Sequence, residues 1–207
     1  MQAYQEWARA KNLEAKFTEK QFEQFIRETG TLPAGRPTSK YELGAKLGNG
    51  GNKDVFAVKG DESKAVGILK KGTSLAAIVD EVALIEKLGA QGLPTVKIHE
   101  VVEVEGRPAI VMDRYAQGSK DVVRLQNNKV RIVGDSTFLN EKSVADLQKI
   151  RDIMVKNNVK IDDLQFLIKS DGSVVIADPL NVVVGQGPSN VNLRTIELLI
   201  SVAQKKR

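Results

Sequence analysis

Cysteine is absent from all 207 residues, so the chain can form no disulfide and no thiolate metal site. That suits a reducing cytosol, and equally a protein that is unfolded and threaded through a secretion channel. Aromatic residues make up only 5% and the lysines are scattered, so the net charge of +5 comes with no stacking platform for nucleic acid. The excess fits an anionic nucleotide or an acidic partner instead. The single histidine, His99, sits in a strand-like run without cysteine partners, makes no zinc site, and is expected to be structural. No apolar run approaches the roughly 18 residues needed to cross a bilayer. The opening Met1-Gln2-Ala3-Tyr4-Gln5-Glu6-Trp7 is too polar for a secretory signal. We therefore expect no membrane span, no Sec export, no nucleic-acid partner and a monomer.

With 42% hydrophobic residues, the chain can bury a core as one large domain or two small lobes. Residues 1–30 read as helical, with a break near Asn12 and a capping-box pair at Thr18 and Gln21 before Phe22, Phe25 and Ile26. The connector Gly30-Thr31-Leu32-Pro33-Ala34-Gly35-Arg36-Pro37 removes donors and breaks either period. Three strands are expected between Tyr41 and Lys70, with turns at the glycine cluster and at Gly60-Asp61-Glu62-Ser63. A helix follows from Ser74 to Leu88, ended by Gly89. Strands at 96–104 and 108–112 flank the turn Glu105-Gly106-Arg107 and complete a five-stranded antiparallel sheet. After a polar linker over 113–119 come a helix near 140–157, a hairpin over 166–177 turning at Ser170-Asp171-Gly172, and a final helix near 190–204. The terminal Lys205-Lys206-Arg207 is read as a solvated helix end.

The glycine cluster points to chemistry. Leu47-Gly48-Asn49-Gly50-Gly51-Asn52-Lys53-Asp54-Val55 can form a hairpin tip whose backbone amides lie over a triphosphate, because glycine lacks the Cβ that blocks close approach. Fifteen residues beyond Val55, Lys70 ends the apolar strand Ala65-Val66-Gly67-Ile68-Leu69 and is placed to reach phosphates as a point charge. An ordinary hairpin turn explains the loop alone equally well.

The order of these elements, with Ile161-Asp162-Asp163-Leu164-Gln165 and Val174-Val175-Ile176-Ala177-Asp178-Pro179-Leu180 in the second half, resembles the protein kinase fold from about Tyr41 to Asp178. The resemblance implies an α+β, two-lobed minimal kinase: an N-terminal helical extension (1–36), an N-lobe (37–112) of five antiparallel strands and one helix, and a reduced, mainly helical C-lobe (113–207). It implies ATP and Mg²⁺ as cofactors. Gly48, Asn49, Gly50, Gly51, Asn52 and Val55 would hold the nucleotide with Lys70. Glu81, with Glu86 as competitor, would orient that lysine. Met112 would back the adenine pocket, and Asp113, Arg114 and Tyr115 would form the hinge. Asp163 would orient the acceptor hydroxyl and take its proton, and Asp178 would hold Mg²⁺. An aspartate closing an apolar strand is also costly to bury without a cation.

The departures narrow the family. Lys53 replaces the third loop glycine, Lys160-Ile161-Asp162 precedes Asp163, and the metal turn reads Asp178-Pro179-Leu180. Three residues are missing after Gln165, including the asparagine that usually holds a second Mg²⁺, and Gln165 is left as the candidate amide ligand. Only 29 residues follow Asp178, without an Ala-Pro-Glu triplet. This compactness resembles bacterial effector and toxin kinases, the HopBF family of type III effectors among them. That resemblance implies γ-phosphoryl transfer to a hydroxyl of a host protein, with the HSP90 chaperone as implied substrate, Ser or Thr ahead of Tyr as acceptor, and action in the host cytoplasm after secretion. The alternatives are an inert nucleotide-binding docking module, AMP or small-molecule transfer on the same fold, and a bacterial cytoplasmic location.

Overall fold

The structure, a computed structural model, describes residues 41–73, 76–127 and 129–205, with the side chains of 76–79 outside the description. The helices expected over 1–30, the capping pair Thr18 and Gln21, the connector over 30–37 and the last two residues lie outside the described residues. The described residues group into two compact units, one of residues up to Asp80 with Ile98–Asp113, the other of Glu81–Lys97 with those from Arg114 onward.

The first unit is the five-stranded sheet. Strands β1 (Leu43–Asn49), β2 (Lys53–Val58), β3 (Asp61–Leu69), β4 (Ile98–Val104) and β5 (Arg107–Asp113) run antiparallel in the order β1-β2-β3-β5-β4. One face buries Val66, Ile68, Val102, Ala109 and Val111, with Phe56 packed against them. These alternate along their strands with residues of the opposite face, as a period of two requires. Two turns differ from the expected positions. The β2–β3 connection is Lys59-Gly60, because Gly60 takes the left-handed φ of +75° there and Asp61 already belongs to β3. In the β4–β5 turn Glu105 and Gly106 both adopt positive φ, 51° and 71°, and Arg107 already pairs with Val104. Positive φ at both central positions suits the twist of a two-residue hairpin.

The second unit holds most of the helix. Helix α1 (Ala76–Ala90) crosses the division between the units and runs past Gly89. It ends at Ala90 and is terminated by Gly92, whose φ is +78°. The amide of Leu93 donates to the Leu88 carbonyl (3.2 Å) and that of Gly92 to the Gly89 carbonyl (2.9 Å), which satisfies the last helical acceptors in the manner of a Schellman cap. Helix α2 (Glu141–Lys156) buries Leu147, Ile150 and Met154, and α3 (Asn190–Gln204) buries Ile196, Leu199, Val202 and Ala203, both at three- and four-residue spacing. These stripes form one core with Phe166, Ile168 and Ile176.

Between the helices lie short strand pairs, of which the sequence revealed only the hairpin over 166–177, now β10–β11. β6 (Gln117–Gly118) leads into a 3₁₀ turn (Ser119–Asp121), and β7 (Val123–Gln126) pairs with β8 (Lys129–Ile132). β9 (Val159–Asp162) pairs with β12 (Asn181–Val184), and β10 (Gln165–Ile168) pairs with β11 (Val174–Ala177) and β6. The expected 113–119 linker is therefore shorter: Asp113 closes β5 and Gln117 opens β6.

Candidate functional site

In the first unit the glycine cluster does form a hairpin tip. Gly48 and Asn49 end β1, and Gly50, Gly51 and Asn52 make the turn, closed by the Gly50 amide donating to the Lys53 carbonyl at 2.9 Å. A Cβ added at Gly51 would meet nothing within 4 Å, so the tip is open. Lys70 follows β3 directly. Its amide donates to the Asn52 carbonyl at 2.9 Å, its Nζ donates to the Gly50 carbonyl at 2.6 Å, and Asp54 Oδ1 stands 3.9 Å away. Val55 pairs with Gly67, and Met112 with Ala65. Asp113, expected in the hinge, lies opposite Lys64 and its carboxylate meets His99 Nε2 at 2.7 Å, which gives the lone histidine a structural partner.

The remaining expected residues fall in the second unit. Glu81 lies half-buried on α1 and Glu86 is exposed. Arg114 and Tyr115 follow β5. The Tyr115 ring lies 5.6 Å below Lys169 Nζ, and its hydroxyl accepts from the Lys97 amide at 3.4 Å.

The carboxylates are built from one hairpin. Gln165 and Ala177 are register partners at the open end of β10–β11, so Asp163 stands two residues before one strand and Asp178 one residue after the other. Both aspartates take left-handed backbone, φ +54° and +48°, a conformation short polar residues tolerate better than branched ones. Asp163 Oδ2 accepts from Lys120 Nζ at 3.1 Å and from the Gln165 amide nitrogen. Asp162 points elsewhere: Lys160 Nζ at 3.0 Å, then the Asn181 amide at 3.2 Å, hold its carboxyl below the usual carboxylate range. The two neighbouring aspartates are thereby distinguished, which the sequence alone left to register. Asp178 is exposed, so the burial cost argued from its place after an apolar strand does not apply.

Three further residues set this loop. Asn192, 2% exposed in the first turn of α3, donates to the Ile161 carbonyl (2.8 Å) and accepts from the Ile161 amide (3.3 Å), fixing the strand that carries the aspartates. Buried Ser119 accepts from the Phe166 amide at 2.9 Å. Lys120 brings a cation to Asp163 from 43 residues away in sequence. A helix-cap pattern, Ser189 to Asn192, was the one legible signal among these.

A groove in this unit runs from Asp163 and Leu164 past Lys120 and Arg124 to Leu125 and Val191. Its walls mix two cations with exposed apolar side chains, Leu125 and Val191. No cluster of three acidic or histidine groups suited to a metal occurs among the described residues. Mg²⁺ does not require one, because it takes one or two protein oxygens and completes its shell with phosphate and water. Asp178 supplies a carboxylate. Gln165, whose amide nitrogen faces Asp163, keeps its carbonyl oxygen as a second hard donor. The donor set fits the ion.

A five-stranded antiparallel sheet with a glycine hairpin, and a β-hairpin flanked by two aspartates, are consistent with a kinase-like domain. The chain belongs to the family described as the type III secretion system effector HopBF1 kinase domain, which it matches over residues 14–207. It is similar, at 29% identity over 153 residues, to the type III effector protein HopBF1 of Pseudomonas syringae pv. syringae (strain FF5), a match covering 70% of this chain and 74% of that protein. Kinase activity follows from the family. Among the described residues no helix is long and apolar enough to cross a membrane.

Proposed function

We propose that the chain transfers the γ-phosphoryl group of ATP to a Ser or Thr hydroxyl of a host protein, as a secreted effector acting in the host cytoplasm, with an HSP90-type chaperone as the first substrate to test. The observation that carries this reading is the Gln165–Ala177 register, which brings Asp163 and Asp178 to the same open end of one hairpin. Phosphoryl transfer asks for two carboxylates in different roles, one at the acceptor and one at the metal. Mg²⁺ would supply charge neutralisation at the phosphates, held by Asp178 and Gln165. Asp163, anchored by Lys120, would orient the acceptor hydroxyl and accept its proton. The glycine hairpin would cover the phosphates with its amides beside a lysine, Lys70 on the sequence reading, with Glu81 as its proposed orienting partner. Met112 and the backbone of Asp113 to Tyr115 would hold adenine. The groove of Lys120, Arg124, Leu125 and Val191 would take the residues flanking the acceptor.

Incubation with γ-labelled and, separately, α-labelled ATP, Mg²⁺ and a eukaryotic lysate or purified HSP90 tests the proposal. Label on protein from the γ-position alone is expected. Label from the α-position would indicate AMP transfer, and no protein label from either would remove the transferase reading.

A further inference from the structure

We infer that Lys53, on β2, is the lysine that meets the nucleotide phosphates, and that Lys70 braces the glycine turn. The inference rests on the nucleotide reading above and changes its central residue. Strand register decides which lysine shares a face with the adenine wall. Lys53 pairs with Leu69, Val55 with Gly67, Gly67 with Ile110, and Ala65 with Met112, without a bulge between residues 53 and 57 of β2. Alternation therefore places Lys53, Val55, Gly67, Leu69 and Met112 on one face. Side-chain positions agree, because a Cβ built on Gly67 would lie 3.3 Å from Lys53 Cδ and 3.5 Å from Met112 Cε. The Lys53 stem thus runs along the sheet beside Met112, across the space left by a glycine.

Lys70 is directed differently. It stands two residues after Ile68, which belongs to the opposite, packed face with Val66, Phe56 and Val111. Its ammonium lies against Asp54, the register partner of Ile68, at 3.9 Å, and donates to the Gly50 carbonyl at 2.6 Å. Asp54 Oδ1 is also 3.0 Å from Lys46 Nζ. Lys70 is therefore committed to a carbonyl and a carboxylate that fix the shape of the turn. On β3 the position facing the Met112 side at the hairpin tip is filled by Leu69, which carries no charge. Lys53 stands beside it in the place of the third loop glycine. A phosphate chain extending from an adenine at Met112 toward the tip meets Lys53 on its own face.

The test compares Lys53→Met, Lys53→Arg, Lys70→Met and the relocation pair Lys53→Gly with Leu69→Lys. MgATP affinity is read by calorimetry and γ-label transfer is read separately, with melting curves to establish folding. Lys53→Met keeps the aliphatic stem over Gly67. It should lose about 10²–10³ in transfer, the scale of removing one charge-stabilising donor, and at least about tenfold in nucleotide affinity, near 1.4 kcal/mol. Lys53→Arg should retain part of both. The relocation pair should recover at least about tenfold over Lys53→Gly alone, since it returns a lysine to the same face one strand away. Wild-type affinity and transfer in Lys53→Met, with background values in Lys70→Met, would overturn the inference and leave the kinase reading standing. A wild-type protein that binds no MgATP would overturn both.

Discussion

Asp162 and Asp163 are adjacent and chemically alike, and their surroundings separate them. Asp162 is spent on Lys160 and Asn181, whereas Asp163 shares a loop end with Gln165 and Lys120. Asp163→Asn preserves volume and tolerates positive φ, so it isolates the charge. It should bind MgATP as the wild type does and lose about 10²–10⁴ in transfer rate, the usual contribution of a positioned base. Asp178→Asn should show the converse in calorimetry, with Mg²⁺-dependent nucleotide binding lost first. Equal loss of binding in both variants would merge the two proposed roles. Asp162→Asn should keep most of its transfer, because its carboxylate belongs to the β9–β12 pairing. Residue-level chemistry made the aspartate pair legible from sequence, since a tight turn at Asp171-Gly172 between the apolar runs Phe166–Ile168 and Val174–Ala177 is a local signal. Lys120 was not legible, because nothing local ties it to a loop 43 residues away.

Elements carry the loop through their caps. Asn192 closes the capping box of α3 with Ser189 and also satisfies both backbone groups of Ile161. Asn192→Ala would leave that buried amide and carbonyl unpaired, a cost of about 1–3 kcal/mol for each group so stranded. The melting temperature should fall, and transfer should fall further than stability alone accounts for, because the strand leading to Asp163 loses its anchor. A second joint links α2 to the β10–β11 turn: Asn140 caps α2 and donates to the Asp171 carbonyl, while Lys142 pairs with the Asp171 carboxylate at 2.5 Å. Lys142, and then the Ser173 amide, hold Asp171 far below the ordinary carboxylate range, and Ser63 and Lys64 hold Asp61 at about 2. A carboxyl with a depressed folded pKa binds fewer protons folded than unfolded, so its contribution is present above about pH 4 and is lost as pH falls toward those folded values. Melting temperatures should decline below about pH 4, less steeply in Lys142→Met and less steeply at high salt, since both sites are exposed. The helices α2 and α3 were readable because their apolar stripes repeat within a few turns. The four-residue strands β9 and β12 were not, because each is too short to show a period and its partner lies about twenty residues away.

The same limit reaches the molecule as a whole. The five-stranded sheet and the later helices follow from local patterns, whereas which lysine faces which side of the sheet depends on register, and register is set by where Lys59-Gly60 turns. A net charge of +5, no cysteine, and membership of a type III effector family are mutually consistent with the proposed passage through a secretion channel. One connection bears on how such a chain would be controlled after it refolds. From Asp178 the backbone passes through Pro179 and Leu180 and enters β12 at Asn181, and the Leu180 amide donates to the Asp162 carbonyl at 3.2 Å. The turn with the proposed metal ligand is thus held by β11 before it and β12 after it, an arrangement expected to stay in one position. Protein purified unphosphorylated should already transfer at full rate, and phosphatase treatment or preincubation with ATP should leave the initial velocity unchanged. Among the described residues this loop would then carry no latch of its own, and the onset of transfer would follow delivery and the presence of an acceptor.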